Sequence, residues 1–175
     1  KTMRKYVSMI LFVALATLAF SSCDPETDEK PGGTKVEKMA GFWDVTIDAI
    51  NADGTVKTKD PEGVGTVSIL TYNTVENVDN RMWIKLPKEG AFLQMHLIVP
   101  VNYGAKTFSC EATKYIYNSN TAGNVTITDG KVLLGQGHNL HGLPTDSIVF
   151  TAVFSDDPNN LTYRIAGIRH SGFTE

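Results

Sequence analysis

Cysteine is scarce in this chain of 175 residues, which contains only Cys23 and Cys110. At most one disulfide is therefore available. Basic residues are not in excess either, since 16 Lys and Arg stand against 19 Asp and Glu, a net charge of −3 at pH 7. Proteins that bind nucleic acid usually carry a basic patch that pairs with phosphates. The composition therefore argues against a nucleic-acid partner.

The chain also lacks the motif of a serine hydrolase, because no Gly-x-Ser-x-Gly segment is present. The candidate nucleophile that remains is the thiol of Cys110. This residue alternates with Phe108 and Ala112, a pattern that predicts a small core residue rather than a reactive one. We expect no catalytic residue on these grounds.

No group of residues in the sequence has a spacing that strongly indicates a metal site. His138 and His141, with Asp146 nearby, are the best candidates, but the Gly-rich segment around them does not have the pattern of a helix, so a spacing of three carries no geometric meaning. The adjacent carboxylates Asp156 and Asp157 lie in a turn cluster, where we expect them to face solvent. We predict no metal site and no cofactor.

Long apolar runs are absent except near the N-terminus. Residues 7–20 form an uncharged apolar segment, shorter than the roughly twenty residues that a membrane-spanning helix needs. Basic residues precede it, and Ser21 and Ser22 follow it. This order is typical of an export signal, which we place at residues 1–22.

The small residues directly before Cys23 resemble a bacterial lipobox, in which that cysteine is diacylated and becomes the first mature residue. Phe20 stands where the motif usually has an aliphatic residue. Residues 23–35 are acidic and rich in Pro and Gly, which predicts a flexible tether. We therefore expect an outer-membrane lipoprotein of the cell envelope, with the membrane face left open. An acylated Cys23 would leave Cys110 without a disulfide partner; the alternative is that Cys23 is incidental.

Residues 36–175 have the pattern of one all-β domain. Short alternating segments recur at roughly ten-residue spacing, without a convincing amphipathic helix. Asp-Gly pairs at 53–54 and 129–130 predict tight hairpin turns. Consecutive hairpins favour a single antiparallel up-and-down β-barrel of about eight strands, and a Greek-key sandwich is the alternative.

The clearest strand is residues 41–50, in which Trp43 and every second residue after it are apolar. Gly41-Phe42-Trp43, together with Arg169 just after the last predicted strand, resembles the lipocalin or calycin pattern. In that superfamily a late arginine lies across the indole at the closed end of the barrel. A cation held over an aromatic face is stabilising by about 1 kcal/mol or more when desolvated.

A narrower resemblance is to the bacterial family called lipid-binding putative hydrolase. The lipobox, the Gly-x-Trp start and the ending at 163–173 carry it, and it covers about residues 36–175. The family name implies lipid binding and, less directly, hydrolysis. No motif of that family assigns a catalytic residue here.

Strand parity predicts which side chains face the barrel interior, where they either line a ligand pocket or pack as a solid core. Trp83 falls on the opposite face, where an exposed indole would mark a partner surface unless a bulge reverses the register. The predicted ligand-binding set is Trp43, Val45, Ile47, Met82, Ile84, Leu93, Met95, Leu97, Phe108, Phe150, Phe154 and Tyr163.

Three functions compete at this level. The leading hypothesis is a lipid-anchored protein that binds a small apolar or amphipathic ligand inside the barrel. The second is a filled barrel that serves as an accessory subunit of an envelope complex and presents Trp83 and the loop of residues 135–144 to a partner protein. The third is a lipid-ester hydrolase.

Overall fold

A computed structural model describes residues 33–86, 94–117 and 120–172. These residues contain no helix, and so none long and apolar enough to cross a membrane. Cys23, the predicted lipidation site, and Leu93, one of the predicted pocket residues, lie outside the described residues. The nine strands are β1 (Gly41–Ile50), β2 (Val56–Lys59), β3 (Val67–Asn73), β4 (Arg81–Leu86), β5 (Met95–Asn102), β6 (Thr107–Tyr117), β7 (Asn120–His138), β8 (Pro144–Phe154) and β9 (Thr162–Arg169).

Eight of the strands close into an antiparallel barrel. Neighbours in sequence pair in order from β3 to β9, and β1 pairs with β3 on one side and with β9 on the other. The β1–β9 seam runs without a break from Trp43↔Arg169 to Ile50↔Thr162. The extra strand β2 pairs only with Asp48–Ile50 at the end of β1. The prediction of an up-and-down barrel of about eight strands is confirmed, and the sandwich alternative is wrong.

The two Asp-Gly pairs adopt different structures. The pair at 53–54 forms the β1–β2 turn, in which Gly54 has a φ of 82° and its N–H donates to the Asn51 carbonyl. The pair at 129–130 is not a turn, because β7 continues through it for 19 residues. Thr128 pairs with Thr151 and Lys131 with Val149, so two residues of β7 oppose one of β8. This is a β-bulge.

Local sterics explain the bulge. Asp129 has a φ of 53°, a left-handed conformation that Asp tolerates better than most residues. A Cβ on Gly130 would overlap the carbonyl oxygen and the ring of Phe108 on β6.

The loop predicted for residues 135–144 is shorter than expected, because β7 runs to His138.

The interior of the barrel is apolar. All predicted pocket residues within the described ranges are buried, although contact with a ligand stays a prediction. Cys110 is buried as predicted. Ala112 is not on the same face but exposed, because it has a φ of 39° within the register shift between Cys110 and Thr113, and Tyr115 becomes the next buried residue. The buried pocket candidates are Trp43, Val45, Ile47, Met82, Ile84, Met95, Leu97, Phe108, Phe150, Phe154 and Tyr163.

The barrel has two different ends. β1 begins and β9 finishes at the first, which we call the sealed end, and residues 33–40 precede β1 there. The β2–β3 connection and the β8–β9 connection lie at the opposite end. The connections through 87–93 and 118–119 are outside the described residues.

Candidate functional site

A short turn before β1 packs into the sealed end. Val36 and Met39 in this turn are fully buried with Trp43 in the core. The indole Nε1 of Trp43 donates to Thr71 Oγ1 at 2.8 Å, and the same hydroxyl donates to the Met39 carbonyl at 2.6 Å. The buried indole N–H and the turn are therefore tied to β3 through one threonine.

Arg169, on β9, covers Trp43 from the strand that pairs with β1. Its Cζ lies 4.4 Å from the centroid of the Trp43 ring. Its Nη1 donates to the Ala40 carbonyl at 2.7 Å, and Nε and Nη2 lie 3.1 and 3.0 Å from Asp146 Oδ2. A Cβ on Gly41 would overlap the guanidinium. The Gly-x-Trp pattern thus has a steric reason, since glycine leaves room for the arginine that covers the indole.

Aromatic rings continue through the interior to the opposite end. Phe108 and Phe150 have centroids 5.6 Å apart. Tyr115 and Phe154 meet edge to face at 5.9 Å, and Phe154 and Tyr163 at 6.1 Å. Such pairs are favourable beyond the apolar area they bury. These rings make the described interior largely apolar, and the hydroxyls of Tyr115 and Tyr163 reach the opposite end.

Those hydroxyls bind carboxylates on the connecting loops. Tyr163 donates to Asp157 Oδ2 at 3.1 Å and lies 3.4 Å from Glu62 Oε1, and Tyr115 donates to Asp156 Oδ1 at 2.5 Å. Burial, together with these acidic partners, raises the pKa of both tyrosines well above the usual value. Both hydroxyls therefore remain protonated donors at neutral pH.

Asp157 organises the β8–β9 connection. Its side chain accepts from the backbone N–H groups of Asn159 at 2.8 Å and Leu161 at 2.6 Å, besides the hydroxyl of Tyr163. The residue is only 3 % exposed. The expectation that both carboxylates of this turn face solvent is therefore wrong for Asp157, whereas Asp156 is exposed.

The chemistry available to Cys110 is limited by its surroundings. The residue is 8 % exposed, and its Sγ lies 3.7 Å from the Val125 carbonyl. Burial raises the pKa of the thiol, which reduces the thiolate that a nucleophile requires. The environment is that of a core residue.

The histidine segment considered for metal binding is arranged differently from a metal site. Asp146 is engaged by Arg169 and accepts from the Gly135 N–H at 2.8 Å. His138 ends β7, and His141 lies in the turn after it, where its N–H donates to Asn139. Within residues 33–86, 94–117 and 120–172, no group of three His, Cys, Asp or Glu side chains has the geometry of a metal site.

An aromatic cluster lies on the outer face of β3, β4 and β5. The Trp83 ring packs 4.4 Å from His96 and 6.3 Å from Tyr72, and the Tyr72 hydroxyl is 2.7 Å from His96 Nε2. Burial, reinforced by the charge of Lys85, lowers the pKa of His96. Trp83 is half-buried within this cluster rather than fully exposed, so no bulge has reversed its register.

Sequence reasoning missed Tyr115, Asp157 and Glu62. Tyr115 is hidden by the irregular pairing of β6, which shifts the alternation after Cys110. Asp157 and Glu62 sit in turn-forming segments, where acidic residues are normally solvated. The one available signal was that residues 155–160 are dense in Asp and Asn, whose side chains often accept hydrogen bonds from backbone amides two residues on.

A closed eight-stranded barrel with an apolar interior, and a guanidinium over a tryptophan at its sealed end, defines a lipocalin-like protein. A family model described as lipid-binding putative hydrolase matches residues 28–174. The chain belongs to this lipid-binding family, as its sequence resemblance predicted. None of the curated proteins compared with the chain matches it.

Proposed function

We propose that the protein binds the apolar part of a small lipid or amphiphile inside the barrel, and that the ligand enters at the end opposite Trp43. The single observation that carries this proposal is the contrast between the ends. The sealed end is filled by Val36, Met39 and Trp43 and is covered by Arg169. At the opposite end the structure describes the β2–β3 and β8–β9 connections but no comparable plug of apolar side chains in them, so we place the route to the apolar lining there.

The lining suits a ligand of variable shape. Met82 and Met95 are both buried on neighbouring strands, and unbranched methionine side chains adapt to irregular surfaces. Each methylene group removed from water contributes about 0.8 kcal/mol. An acyl chain of about twelve carbons would gain about 10 kcal/mol, from which association costs of at least about 4 kcal/mol are subtracted. The net gain of at most about 6 kcal/mol corresponds to a Kd of about 40 μM or weaker.

Two measurements test the proposal on the full chain. Lipids that co-purify are extracted and identified by mass spectrometry, and binding of the neutral fluorophore N-phenyl-1-naphthylamine is titrated. Ala152→Leu narrows the interior at a fully buried position of β8, and Val153→Leu adds bulk at the neighbouring position, which is 41 % exposed. We expect at least fivefold weaker probe binding for Ala152→Leu and none of that loss for Val153→Leu. Absence of both co-purified lipid and saturable probe binding would contradict the proposal.

The second part of the proposal is that a lipid on Cys23 holds the protein at the outer membrane. Support comes from the apolar leader, the small residues before Cys23 and the acidic tether. Cells fed a clickable palmitate analogue should label the wild-type protein and not Cys23→Ala. The variant should also move from the membrane fraction to the soluble fraction. Equal labelling of both would show that Cys23 is not the acylated residue.

The outer aromatic cluster favours a second candidate function, that of an accessory subunit in an envelope complex. Trp83, Tyr72 and His96 form a half-buried platform on the outside of the barrel, and aromatic residues are enriched at protein interfaces. A fixed partner that co-purifies with the wild type and is lost in Trp83→Ala, together with an interior that binds no lipid, would favour this function over the first.

A further inference from the structure

We infer that the barrel selects lipids with uncharged headgroups and discriminates against free fatty-acid anions. The inference rests on the proposed lipid binding and adds the class of ligand. It is carried by the distribution of charge along the interior and around the end through which the ligand would enter.

The buried surface that the structure describes offers an anion no cation, although the Gln94 amide Nε2 and the Thr74 hydroxyl are buried without a hydrogen-bond partner. The buried polar or charged side chains in the described part of the chain are Thr71, Thr74, Gln94 and Asp157, and none is cationic. A carboxylate moved into such a lining loses its hydration without gaining a counter-ion, and this makes its burial strongly unfavourable. A hydroxyl or an ester of the same chain length loses far less.

The basic side chain that covers the buried Trp43 is already engaged. The guanidinium of Arg169 covers Trp43, donates to the Ala40 carbonyl and pairs with Asp146. It also belongs to the sealed end, beyond the deepest aromatic residue. A ligand headgroup that stays near the entrance cannot reach it.

Among the described residues, the charged side chains around the two tyrosine hydroxyls at the entrance are acidic. Glu62, Asp156 and Asp157 surround the hydroxyls of Tyr115 and Tyr163. Both hydroxyls are already directed at these carboxylates as donors. An anionic headgroup that stops at this level would approach fixed negative charges within the screening length of about 8 Å at physiological salt. Repulsion at the entrance therefore adds to the desolvation penalty inside.

The basic side chains near this end that the structure describes do not reverse the sign. Lys57 and Lys59 on β2 and Lys114 on β6 are exposed, and Lys85 lies on the outer face of β4. Arg164 on β9 lies on the outer face and is 3.9 Å from Asp48. Exposed cations are screened by water and salt, so they attract anions weakly compared with a partner inside the barrel.

The test compares ligands that differ only in the headgroup. Displacement of N-phenyl-1-naphthylamine from the full chain is measured at pH 7.5 with retinol against retinoic acid, and with hexadecan-1-ol against hexadecanoate, below their aggregation concentrations. We expect the alcohols to displace the probe at concentrations at least tenfold lower than the acids. Equal displacement, or stronger displacement by the acids, overturns the inference and leaves lipid binding intact. Failure of all four ligands, with no bound probe and no co-purified lipid, overturns both.

A charge reversal at the entrance sharpens the test. Glu62→Lys places a cation beside the Tyr163 hydroxyl, and Glu111→Lys makes the same change of net charge at an exposed position of β6. We expect Glu62→Lys to improve displacement by hexadecanoate at least fivefold and to leave hexadecan-1-ol within twofold of wild type. Glu111→Lys should change neither ligand by more than twofold. An unchanged ratio of the two ligands in Glu62→Lys contradicts the role of the acidic entrance.

Discussion

Replacing Arg169 with methionine retains an unbranched apolar side chain but removes the charge that holds the sealed end together. Three interactions are lost at once. They are the cation 4.4 Å from the Trp43 ring centroid, the hydrogen bond to the Ala40 carbonyl and the paired contacts with Asp146. The thioether still covers part of the indole, so the change tests the charge more than the packing.

The expected loss can be estimated for each interaction. A partly exposed cation over the buried indole contributes about 1 kcal/mol. A hydrogen bond from a charged donor to the partly buried Ala40 carbonyl contributes about 1.5 kcal/mol. The Asp146 pair, whose side chains are 30 % and 26 % exposed, is partly screened and contributes about 0.5 kcal/mol. The free energy of unfolding should therefore fall by about 3 kcal/mol, which corresponds to a Tm lower by about 10 °C for a domain of this size.

Urea and thermal unfolding followed by circular dichroism measure the loss, and Arg164→Met is the matched control. Arg164 also lies on β9, but its side chain is 39 % exposed and its contact with Asp48 is 3.9 Å long. We expect the control to lose no more than about 0.5 kcal/mol. An equal loss in both variants would refute the reasoning. A double-mutant cycle with Trp43→Phe isolates the cation–aromatic contribution, and a coupling near zero would remove it from the account.

Three further predictions concern the seam, the β8–β9 loop and the outer cluster. Gly167→Ala should lower the free energy of unfolding in urea by about 3 kcal/mol, because its Cβ would overlap the backbone of β1. The control Gly104→Ala, where the nearest contact of the added Cβ is 3.5 Å, should have an unfolding free energy close to that of wild type. Equal losses in both variants would contradict the close approach of β9 to β1 at Gly167. Asp157→Asn should lower the unfolding free energy by about 2 kcal/mol, because a charged acceptor of three hydrogen bonds is lost; unchanged urea and thermal midpoints would show that this carboxylate does not hold the loop. The pKa of His96 is lowered in the fold, so the unfolded chain protonates His96 at a higher pH than the folded chain does. The contribution of neutral His96 to the unfolding free energy is therefore complete above about pH 6.5 and is lost as the pH falls towards the folded pKa. His96→Gln should therefore lose less stability than wild type between pH 7 and pH 5 in parallel urea titrations, and identical slopes would contradict the shift.

Strand alternation predicted the seam well because the seam is regular. β1 and β9 pair over eight consecutive positions without a bulge, so burial follows the period of two that the sequence displays. Trp43 and Arg169 face each other in that register. Their contact was therefore expected from the sequence once the strand ends were placed correctly.

Bulges limited the prediction elsewhere. An Asp-Gly pair favours positive φ both in a hairpin turn and in a bulge. The choice between them is made by whether the flanking strands continue alongside, as β6 and β8 do around Asp129 and Gly130. Whether those strands continue depends on residues that are distant in the sequence. The shift at Ala112 is harder still to foresee, since alanine carries no signal for a left-handed conformation.

The acidic residues near Tyr163 were missed for a different reason. Glu62 and Asp157 do not belong to a strand, and the burial of Asp157 depends on the β8–β9 connection. Asp157 is buried because two amides and one tyrosine hydroxyl converge on it. A carboxylate in a turn has no local feature that distinguishes this arrangement from a solvated one.

In the proposed function, stability and ligand choice depend on opposite ends of the barrel, and this separation has a measurable consequence. Arg169 fixes the sealed end through contacts that no entering headgroup reaches, whereas Glu62 lies at the entrance and has one hydrogen bond, 3.4 Å long, to the core tyrosine Tyr163. Arg169→Met should therefore lower the unfolding free energy and leave the ratio of alcohol to acid displacement within twofold of wild type. Glu62→Lys should change that ratio and leave the unfolding free energy within about 0.5 kcal/mol. If either substitution moved both quantities together, headgroup selection would depend on the whole barrel rather than on the charges at its entrance.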